Sequence, residues 1–384
     1  MRRVQIKEIS SVVSKGTTPT THGHSYKEFG IPLLRVNNID SGKFDLEDVK
    51  YIDEKAHADL KRSQLVKGDL IISIAGSIGK TAIVEESILP ANCNQALAFV
   101  RLEKEKVDIR YAQHWLNSDD AISQITKNKV TATISNLSLT QIKNLEIPLP
   151  SLSEQKAIVA KLDRAQRLID IDREMLAKYD ELIQSMFLEM FGDPVRNEKG
   201  WEVKPLKKIA EIDKESFDPT DFNGSVNYVG LNCIVKETGK IIDVETITEG
   251  DVKSTKFKFS PNHILYGKLR PYLNKVAFPD FHGVCSTDIL PILPKEGIST
   301  RSYIGHLLKS KEFVNYADKN SSGANLPRIS PTMIKKFEAI HPPFNLQKKF
   351  EEILNKVNFE KSKTSQALKK SEELFSSLVQ GVFG

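Results

Sequence analysis

The sequence predicts an α+β fold: two homologous mixed β-rich domains, each followed by a long helix, with the two helices forming an antiparallel coiled coil with pseudo-twofold symmetry. Three observations lead to this prediction. The 384-residue chain contains an internal repeat of half its length. Within each repeat, a β-rich part ends at a proline and a long segment free of proline follows. That segment carries apolar residues at heptad spacing, the pattern of a coiled coil.

Composition narrows the class of protein. With 40% hydrophobic and 27% charged residues, the chain is long enough for two or three globular domains. Cys93, Cys233 and Cys285 are widely spaced without a CxxC pair, which indicates a reducing compartment and no cysteine zinc site. No signal peptide and no run of about 18 apolar residues is evident, so we expect a cytoplasmic protein. The net charge of +5 permits a polyanionic partner without requiring one.

The repeat sets the architecture, because homologous halves fold alike. A shift of 192 residues aligns Cys93 with Cys285, Tyr111 with Tyr303, His114 with His306, Gln155 with Gln347, Leu162 with Leu354 and Phe191 with Phe383. Earlier in each half, Val36 to Ile39 falls on Leu231 to Ile234 at a shift of 195. The change of shift predicts insertions in loops. A unit of this length indicates two homologous modules and not a solenoid.

Short runs rich in β-branched residues, broken by Gly, Pro and Asn, predict strands in each module. They are IPLLRV, DLIISIAG, TAIVEES and LAFVRL in the first module and NYVGL, HILYGKL, KVAF and ILPIL in the second. The composition changes near Pro150 and Pro342. The predicted boundaries are therefore 1–150 and 193–342 for the β-rich domains, with 151–192 and 343–384 for the helices.

The helical segments run from Ser153, a predicted N-cap, to Phe191 and from Leu346 to Phe383. The helix-pairing positions are Ile158, Leu162, Ile169, Leu176 and Ile183 in the first helix and Phe350, Leu354, Leu368, Phe375 and Leu378 in the second. Asp172 interrupts the first stripe, and Lys361, Thr364 and Ser371 weaken the second. Helices of roughly 58 Å are longer than a small domain is wide, so an antiparallel helix pair is favoured over each helix packing only on its own domain.

No catalytic motif in the sequence is complete. The segment Ile74 to Thr81 resembles a phosphate-binding loop but lacks the first glycine and a following helix. The segment His341 to Phe344 resembles the short motif of amino-methyltransferases, but His341 replaces the required Asn or Asp. His114 and His306 lie between apolar residues, and Cys93 and Cys285 lie in predicted strands, so both pairs are expected to be packed and not catalytic. No metal-ligand spacing occurs among the eight histidines.

Loops dense in Thr, Ser, Asn, Lys and Arg recur at equivalent places in both modules, and these residue types bind phosphates and base edges. Expected phosphate or base contacts are Lys15, Arg35, Lys80, Lys127, Lys129, Lys268, Arg270, Lys275, Lys319 and Arg328. Expected base-selecting residues are Asn37, Asn38, Asn94, Gln95, Asn232, Thr287, Asp288 and Asn325. Thr17, Thr18 and Tyr272 belong to the same loops and complete the predicted DNA-binding set.

Four motifs, together with the duplication, resemble the specificity subunit of bacterial type I restriction–modification enzymes. They are Lys-Gly-Thr-Thr-Pro at 15–19, GDLIISIAGSIGK at 68–80, LRPYLNKVA at 269–277 and IPLPSLSEQK at 147–156. The resemblance implies that each β-rich domain is a target recognition domain for half of a bipartite site in double-stranded DNA. It also implies that the coiled coil sets the spacer and docks two methyltransferase subunits.

The same resemblance implies a chain without catalytic residues, metal or cofactor of its own. S-adenosylmethionine and ATP would then be bound only by the methyltransferase and restriction subunits. Two other classes stay open at this point. One is a self-contained DNA methyltransferase, and the other is an assembly scaffold that uses the coiled coil without binding nucleic acid.

Overall fold

The structure, a computed structural model, describes residues 2–40, 42–127, 136–194, 196–217, 224–248 and 255–384. The chain divides into two compact units. The first unit contains Met1–Arg173 with Gln366–Gly384, and the second contains Glu174–Ser365. Each unit therefore combines one β-rich module with a part of each long helix.

The first module is built on an antiparallel four-stranded sheet of order β2-β10-β7-β8. Its central strands are buried on both faces, as their continuous apolar sequences predict. A smaller sheet, β6-β3-β9, contains a parallel pair in which Leu34 lies opposite Cys93. The strands are β1 (Arg3–Gln5), β2 (Ser10–Lys15), β3 (Ile31–Leu34), β4 (Ile39–Asp40), β5 (Lys43–Phe44), β6 (Lys50–Ile52), β7 (Asp69–Ser73), β8 (Thr81–Ile83), β9 (Asn92–Cys93), β10 (Leu97–Leu102) and β11 (Glu146–Pro148).

The second module repeats the four-stranded sheet and the parallel pair, but its smaller sheet has five strands instead of three. Its four-stranded sheet has the order β13-β21-β18-β19, and Val229 lies opposite Cys285 in the matching parallel pair. The strands are β12 (Glu202–Pro205), β13 (Ala210–Ile212), β14 (Ser216–Phe217), β15 (Ser225–Val229), β16 (Glu245–Thr248), β17 (Lys256–Phe259), β18 (Ile264–Gly267), β19 (Val276–Ala277), β20 (Gly283–Cys285), β21 (Ile289–Pro294), β22 (Ser321–Ser322), β23 (Arg328–Ile329) and β24 (Glu338–His341). All eight predicted strand runs form strands, and the duplication is confirmed.

Two helices are far longer than the others and follow the two modules, as predicted. The helices are α1 (Glu54–Asp59), α2 (Ile109–Leu116), α3 (Asp119–Lys127), α4 (Leu139–Lys143), α5 (Leu152–Phe191), α6 (Leu206–Ile209), α7 (Arg301–Lys309), α8 (Lys311–Lys319), α9 (Pro331–Lys336) and α10 (Phe344–Phe383). The predicted N-cap of α5 was wrong by two residues. Ser151 and Glu154 form the capping box instead, with the Ser151 backbone N–H donating to Glu154 Oε2 at 2.9 Å.

The long helices pair antiparallel within each unit. In the first unit the start of α5, at Val159 and Leu162, shares a core with Phe383 at the end of α10. Further along α5, Arg173 Nη2 lies 2.7 Å from Glu372 Oε1. In the second unit α5 and α10 are joined by the ion pair between Asp180 and Lys361 and by the packing of Phe187 on Phe350.

Polar residues predicted to weaken the pairing are accommodated. Asp172 Oδ2 accepts a hydrogen bond from Ser371 Oγ at 3.3 Å, and the buried Thr364 bonds to the backbone of its own helix. The ten predicted pairing positions are all buried or half-buried. The apolar stripe is thus interrupted only where a partner for the polar group is present.

The ends of the long helices penetrate the cores of the β-rich modules. In the first unit the ring of Phe383 packs 5.3 Å from the ring of Tyr111 on α2. In the second unit Phe187, Phe191 and Tyr303 form one aromatic cluster. Each module core therefore receives residues from a helix that does not directly follow it in the chain, so packing on the preceding module alone does not describe the fold.

A buried glutamine anchors each module to the start of its long helix. The Gln155 side chain is inaccessible to solvent; its Oε1 accepts from the Asp108 N–H at 2.8 Å, and its Nε2 donates to the Pro150 carbonyl at 2.9 Å. Gln347 repeats the arrangement with the Thr300 N–H and the Pro342 carbonyl. One buried side chain thus bonds backbone groups of two segments.

Among the described residues, no helix is both long and apolar enough to cross a membrane.

We predict that Gln155→Leu destabilises the chain by about 1–3 kcal/mol, because it leaves the half-buried Asp108 N–H and Pro150 carbonyl without partners. Urea unfolding followed by circular dichroism measures the change. Gln184→Leu, at an exposed position of the same helix, is the matched control and should shift stability by less than about 0.5 kcal/mol. Equal effects of the two substitutions would refute the anchoring role.

Candidate nucleic-acid interface

Three chain segments of the second module meet beyond the end of β18. The Lys268 N–H donates to the Asp288 carbonyl at 2.9 Å, and the Arg270 N–H donates to the Pro327 carbonyl at 2.7 Å. The Ile329 N–H in turn donates to the Lys268 carbonyl. Six predicted DNA-binding residues from positions 268 to 328 are thereby gathered on these segments. They are Lys268, Arg270, Thr287, Asp288, Asn325 and Arg328.

Asp288 is the electrostatic centre of this group. Its carboxylate accepts two hydrogen bonds from Arg328, at 2.9 Å from Nε and 3.0 Å from Nη2, while Lys268 Nζ lies 3.8 Å away. The bonds from Arg328, followed by the nearby positive charge, hold the pKa of Asp288 below its usual range. Asp288 therefore remains ionised and orients Arg328, which keeps part of its guanidinium exposed.

The turn that follows carries Tyr272, which is 48% exposed, and Lys275. Lys275 Nζ donates to the Leu231 carbonyl at 2.7 Å, and burial lowers the pKa of its ammonium group. Asn232 is exposed on the 3₁₀ turn Leu231–Cys233. Lys275 thus supports this turn with its ammonium group, while the neighbouring Asn232 is free to face a ligand.

The first module brings the Lys15–Thr18 segment against the turn at Asn94 and Gln95. The Thr17 N–H donates to the Cys93 carbonyl at 3.0 Å. A side chain at Gly16 would lie 2.1 Å from the same carbonyl oxygen, so only glycine allows this close approach. Lys15 and Gln95 are exposed, Thr17 and Thr18 are half-buried, and Asn94 is half-buried with its Oδ1 bonded to the Ala96 N–H.

Two predicted residues of the first module are committed to its own structure. The Arg35 guanidinium bonds to the backbone carbonyl and the carboxylate of Asp48. Asn38 is 2% exposed, and its amide bonds to the Arg35 N–H and the Asp45 carbonyl. These two side chains shape the loop that presents the exposed Asn37, and Asn38 has no surface from which to contact a base.

The remaining predicted residues are exposed, apart from one that lies outside the described residues. Lys80 is exposed, although its Nζ donates to the Ile39 carbonyl at 3.1 Å. Lys127, Lys319 and Asn325 are exposed. Lys129 lies outside the described residues.

Sequence reasoning missed a cleft of about 1340 Å³ in the first unit. Its lining includes Lys43, Arg110 and Arg167, which come from a hairpin, α2 and α5. Asp163 and Asp170 line the same cleft, and Arg110 Nη2 lies 3.1 Å from Asp163 Oδ1. No local signal groups these residues, because they are far apart in the chain, and the mixed charges do not favour a polyanion there.

The motifs that were rejected as catalytic are structural. The segment resembling a phosphate-binding loop joins the antiparallel strands β7 and β8 and leads into no helix. Burial raises the pKa of the Cys93 thiol and raises that of Cys285 to about 12, so neither is a ready nucleophile. His306 packs against Phe187 and Phe350, and burial lowers its pKa to about 4.

Within the described part of the chain, no group of three or more His, Cys, Asp or Glu side chains is placed to hold a metal ion.

Comparisons with known proteins agree with the duplicated fold. The family "Type I restriction modification DNA specificity domain" matches residues 1–178 and again 198–371. The type I restriction enzyme EcoDI specificity subunit of Escherichia coli is 24% identical over 308 residues, which cover 70% of this chain and 68% of that protein. The StySPI specificity subunit of Salmonella potsdam is 24% identical over 391 residues, which cover 92% and 81%.

A solved structure of a type I restriction–modification system, described for its complex assembly and conformational transition, contains a chain of similar fold. The TM-score is 0.59 at 17% identity, and the match covers 100% of this chain and 97% of that one.

The chain belongs to the type I restriction–modification DNA specificity domain family and carries that domain twice. It is accordingly the DNA specificity subunit of a type I restriction–modification system. Subunits of this family are non-catalytic, and S-adenosylmethionine and ATP are bound by the methyltransferase and restriction subunits. A self-contained DNA methyltransferase is thereby excluded. The subunit works in assembly with other subunits, and DNA binding follows from the family.

We predict that Asp288→Asn lowers stability at pH 7 by about 1–3 kcal/mol, because it removes the charge from two hydrogen bonds to Arg328. The pKa of Asp288 is depressed in the folded state, so its stabilisation is present above the ordinary value of 3.8 and is lost as pH falls below it. Urea unfolding of both proteins from pH 7 to pH 3 should show the difference shrinking.

Asp48→Asn is the control for this prediction, since the Asp48 side chain is 81% exposed where it meets Arg35. It should cost less than about 1 kcal/mol. A pH-independent difference between Asp288→Asn and the unaltered protein would contradict the electrostatic explanation.

Proposed function

We propose that residues 1–150 and 193–342 are two target recognition domains, each binding one half of a bipartite site in double-stranded DNA. Residues 151–192 and 343–384 form the helix pair that sets the spacer between the half-sites. We further propose that the pair docks two methyltransferase subunits and that restriction subunits join this assembly in the cytoplasm.

The observation that carries the proposal is one scaffold with unlike loops. In the first module the Ile74 N–H donates to the Ala96 carbonyl, and the Leu137 N–H donates to the Ile74 carbonyl. In the second module the Lys268 N–H donates to the Asp288 carbonyl, and the Ile329 N–H donates to the Lys268 carbonyl. The positions of Lys268 and Asp288 in one module are thus those of Ile74 and Ala96 in the other.

Such a difference suits two half-sites of unlike sequence. Base edges are distinguished by their hydrogen-bond donors and acceptors, so loops that expose unlike polar side chains from one scaffold select different bases. The exposed candidates for these contacts include Lys15, Asn37, Gln95, Asn232 and Thr287. Exposed Lys80, Lys127 and Lys319 would contribute phosphate contacts, which strengthen binding to all sequences alike.

The family's assembly with other subunits supports the partner proposal. A subunit without catalytic residues needs partners to turn DNA recognition into methylation. The long helices supply the surface for such partners, because Leu168, Met175 and Leu188 on α5 are each more than 40% exposed.

Exchange of residues 1–150 for the same module of a relative should change one half-site of the recognised DNA and leave the other intact. Each module folds around its own sheet, so the second module keeps its loops. Sequencing of methylated sites in cells that express the hybrid with the partner subunits gives the result. The reciprocal exchange of residues 193–342 is the control. If sequence preference stays unchanged in a hybrid that methylates DNA, the modular proposal is wrong.

Inserting one heptad into each long helix, near Leu176 and Leu368, should lengthen the tolerated spacer by about three base pairs. Seven residues add about 10 Å of helix, and DNA rises 3.4 Å per base pair. Insertion into one helix alone is the control, since it breaks the register of the pair and should abolish site-specific methylation. An unchanged spacer in the double insertion would argue against the role of the helix pair.

The salt dependence of duplex binding tests the assembled subunit against a scaffold that binds no nucleic acid. A DNA-specificity subunit, with its partners, binds duplex with an affinity that falls steeply with ionic strength, whereas a scaffold does not.

A further inference from the structure

The turn that follows the parallel strand pair has the same length and the same closing hydrogen bond in both modules. In the first module it comprises residues 94–97 after β9, and in the second it comprises residues 286–289 after β20. The Leu97 N–H donates to the Asn94 carbonyl at 3.0 Å, and the Ile289 N–H donates to the Ser286 carbonyl at 2.9 Å. A shift of 192 residues aligns the two turns without a gap.

The first residue of each turn fixes the turn in two further ways. Its side chain accepts a hydrogen bond from the N–H two residues on, at 3.2 Å between Asn94 Oδ1 and the Ala96 N–H and at 3.3 Å between Ser286 Oγ and the Asp288 N–H. Its own N–H donates to the last carbonyl of the neighbouring parallel strand, β3 or β15. Three equivalent hydrogen bonds therefore hold each turn in one conformation.

The second residue of each turn differs between the modules. Gln95 in the first module and Thr287 in the second are exposed, whereas the first and third residues of both turns are half-buried. Neither side chain has a hydrogen-bond partner within the described residues. Both positions also lie outside the four motifs that mark the family. The turn therefore leaves the identity of this residue free, and the two copies of the module have used that freedom.

Cations lie beside the exposed residue in both modules. In the first, Lys15 is exposed and precedes Gly16, whose N–H donates to the carbonyl of the last turn residue at 2.9 Å. In the second, the Lys268 N–H donates to the Asp288 carbonyl within the turn, and Arg328 bonds to the carboxylate of Asp288. Each turn thus presents one uncharged polar side chain next to groups that can bind phosphates.

The chemistry of Gln95 favours a base edge over a phosphate. A carboxamide carries an acceptor oxygen beside its donor nitrogen, whereas a phosphate oxygen at neutral pH only accepts. The major-groove edge of adenine offers the N7 acceptor and the N6 donor, so a glutamine binds it through two hydrogen bonds. Threonine cannot form this pair. Its hydroxyl bonds to several bases, and its methyl group packs on the thymine methyl.

We propose that Gln95 is a specificity-determining residue that binds an adenine edge in the half-site of the first module. Thr287 occupies the same place in the other half-site and does not select adenine there. The inference rests on the proposed function and adds a position at which the two half-sites differ. Because the two turns have the same backbone, exchange of the two side chains carries the adenine preference from one half-site to the other.

The test compares the full chain with Gln95→Thr, Thr287→Gln and the double exchange, each assembled with the methyltransferase subunits. The probe is a pool of duplexes randomised over the whole site, from which bound sequences are selected and read. The exchange of residues 1–150 described above tells which half-site belongs to the first module. Thr140→Gln, at an exposed position of α4 outside the predicted DNA-binding set, is the matched control. Thermal unfolding of each protein is measured in parallel.

Gln95→Thr should lose the adenine preference at one position of the first module's half-site, with affinity for the original motif falling by about 5- to 150-fold. Thr287→Gln should gain an adenine preference at the corresponding position of the other half-site. The double exchange should show both changes, and Thr140→Gln should retain the complete motif. All variants should unfold within about 2 °C of the unaltered protein, because neither exchanged side chain has a partner in the fold.

Four results would overturn the inference. An unchanged motif in Gln95→Thr shows that the side chain selects no base. A uniform loss of affinity with the motif intact shows a phosphate contact. A markedly lower unfolding temperature of Gln95→Thr shows a structural role. A Thr287→Gln variant that gains no adenine preference shows that the two turns do not meet DNA alike. If the unaltered protein selects no bipartite motif, the proposed function itself fails, which is a separate outcome.

Discussion

The structure depends on the burial of two apolar stripes that run along helices of forty residues. Neither helix can bury such a stripe alone. In the middle the helices cover each other, and at the ends they enter the aromatic cores of the β-rich modules, where Phe383 meets Tyr111 and Phe187 meets Phe350. Aromatic side chains bury the largest areas available to a protein, so these ends contribute much of the packing energy.

The junction between each module and its long helix sets a second requirement, because the N–H just before α2 or α7 and the carbonyl just before the long helix need partners. Gln155 and Gln347 meet it in both modules with the same atoms. Both glutamine side chains are inaccessible to solvent. Two copies of one module therefore keep the sheet order, the parallel strand pair and this anchor, while the loops beyond the strands have changed their chemistry.

The loops differ in how firmly they hold their polar side chains. Arg328 is oriented by two hydrogen bonds to Asp288, and Lys275 by a backbone carbonyl. The exposed side chains of Lys15, at the end of β2, and of Gln95 have no such hydrogen bond within the described residues. Oriented side chains lose little conformational entropy when they bind and favour a fixed geometry. A flexible side chain such as that of Lys15 adapts to the backbone of any sequence. Both kinds suit a protein that must bind DNA in general and one sequence in particular.

The sequence alone determined the duplication, the strand runs, the long helices and the heptad stripe, because these depend on the residue types within short windows. It placed the N-cap two residues late, at Ser153 instead of Ser151, since several serines near a helix start satisfy the same local pattern. Only the tertiary structure decided that Asn38 is buried, that Asp288 and Arg328 pair across forty residues, and that the end of α10 packs into the first module. Those contacts join segments distant in the chain, and their free energy depends on which loops meet when the sheets close.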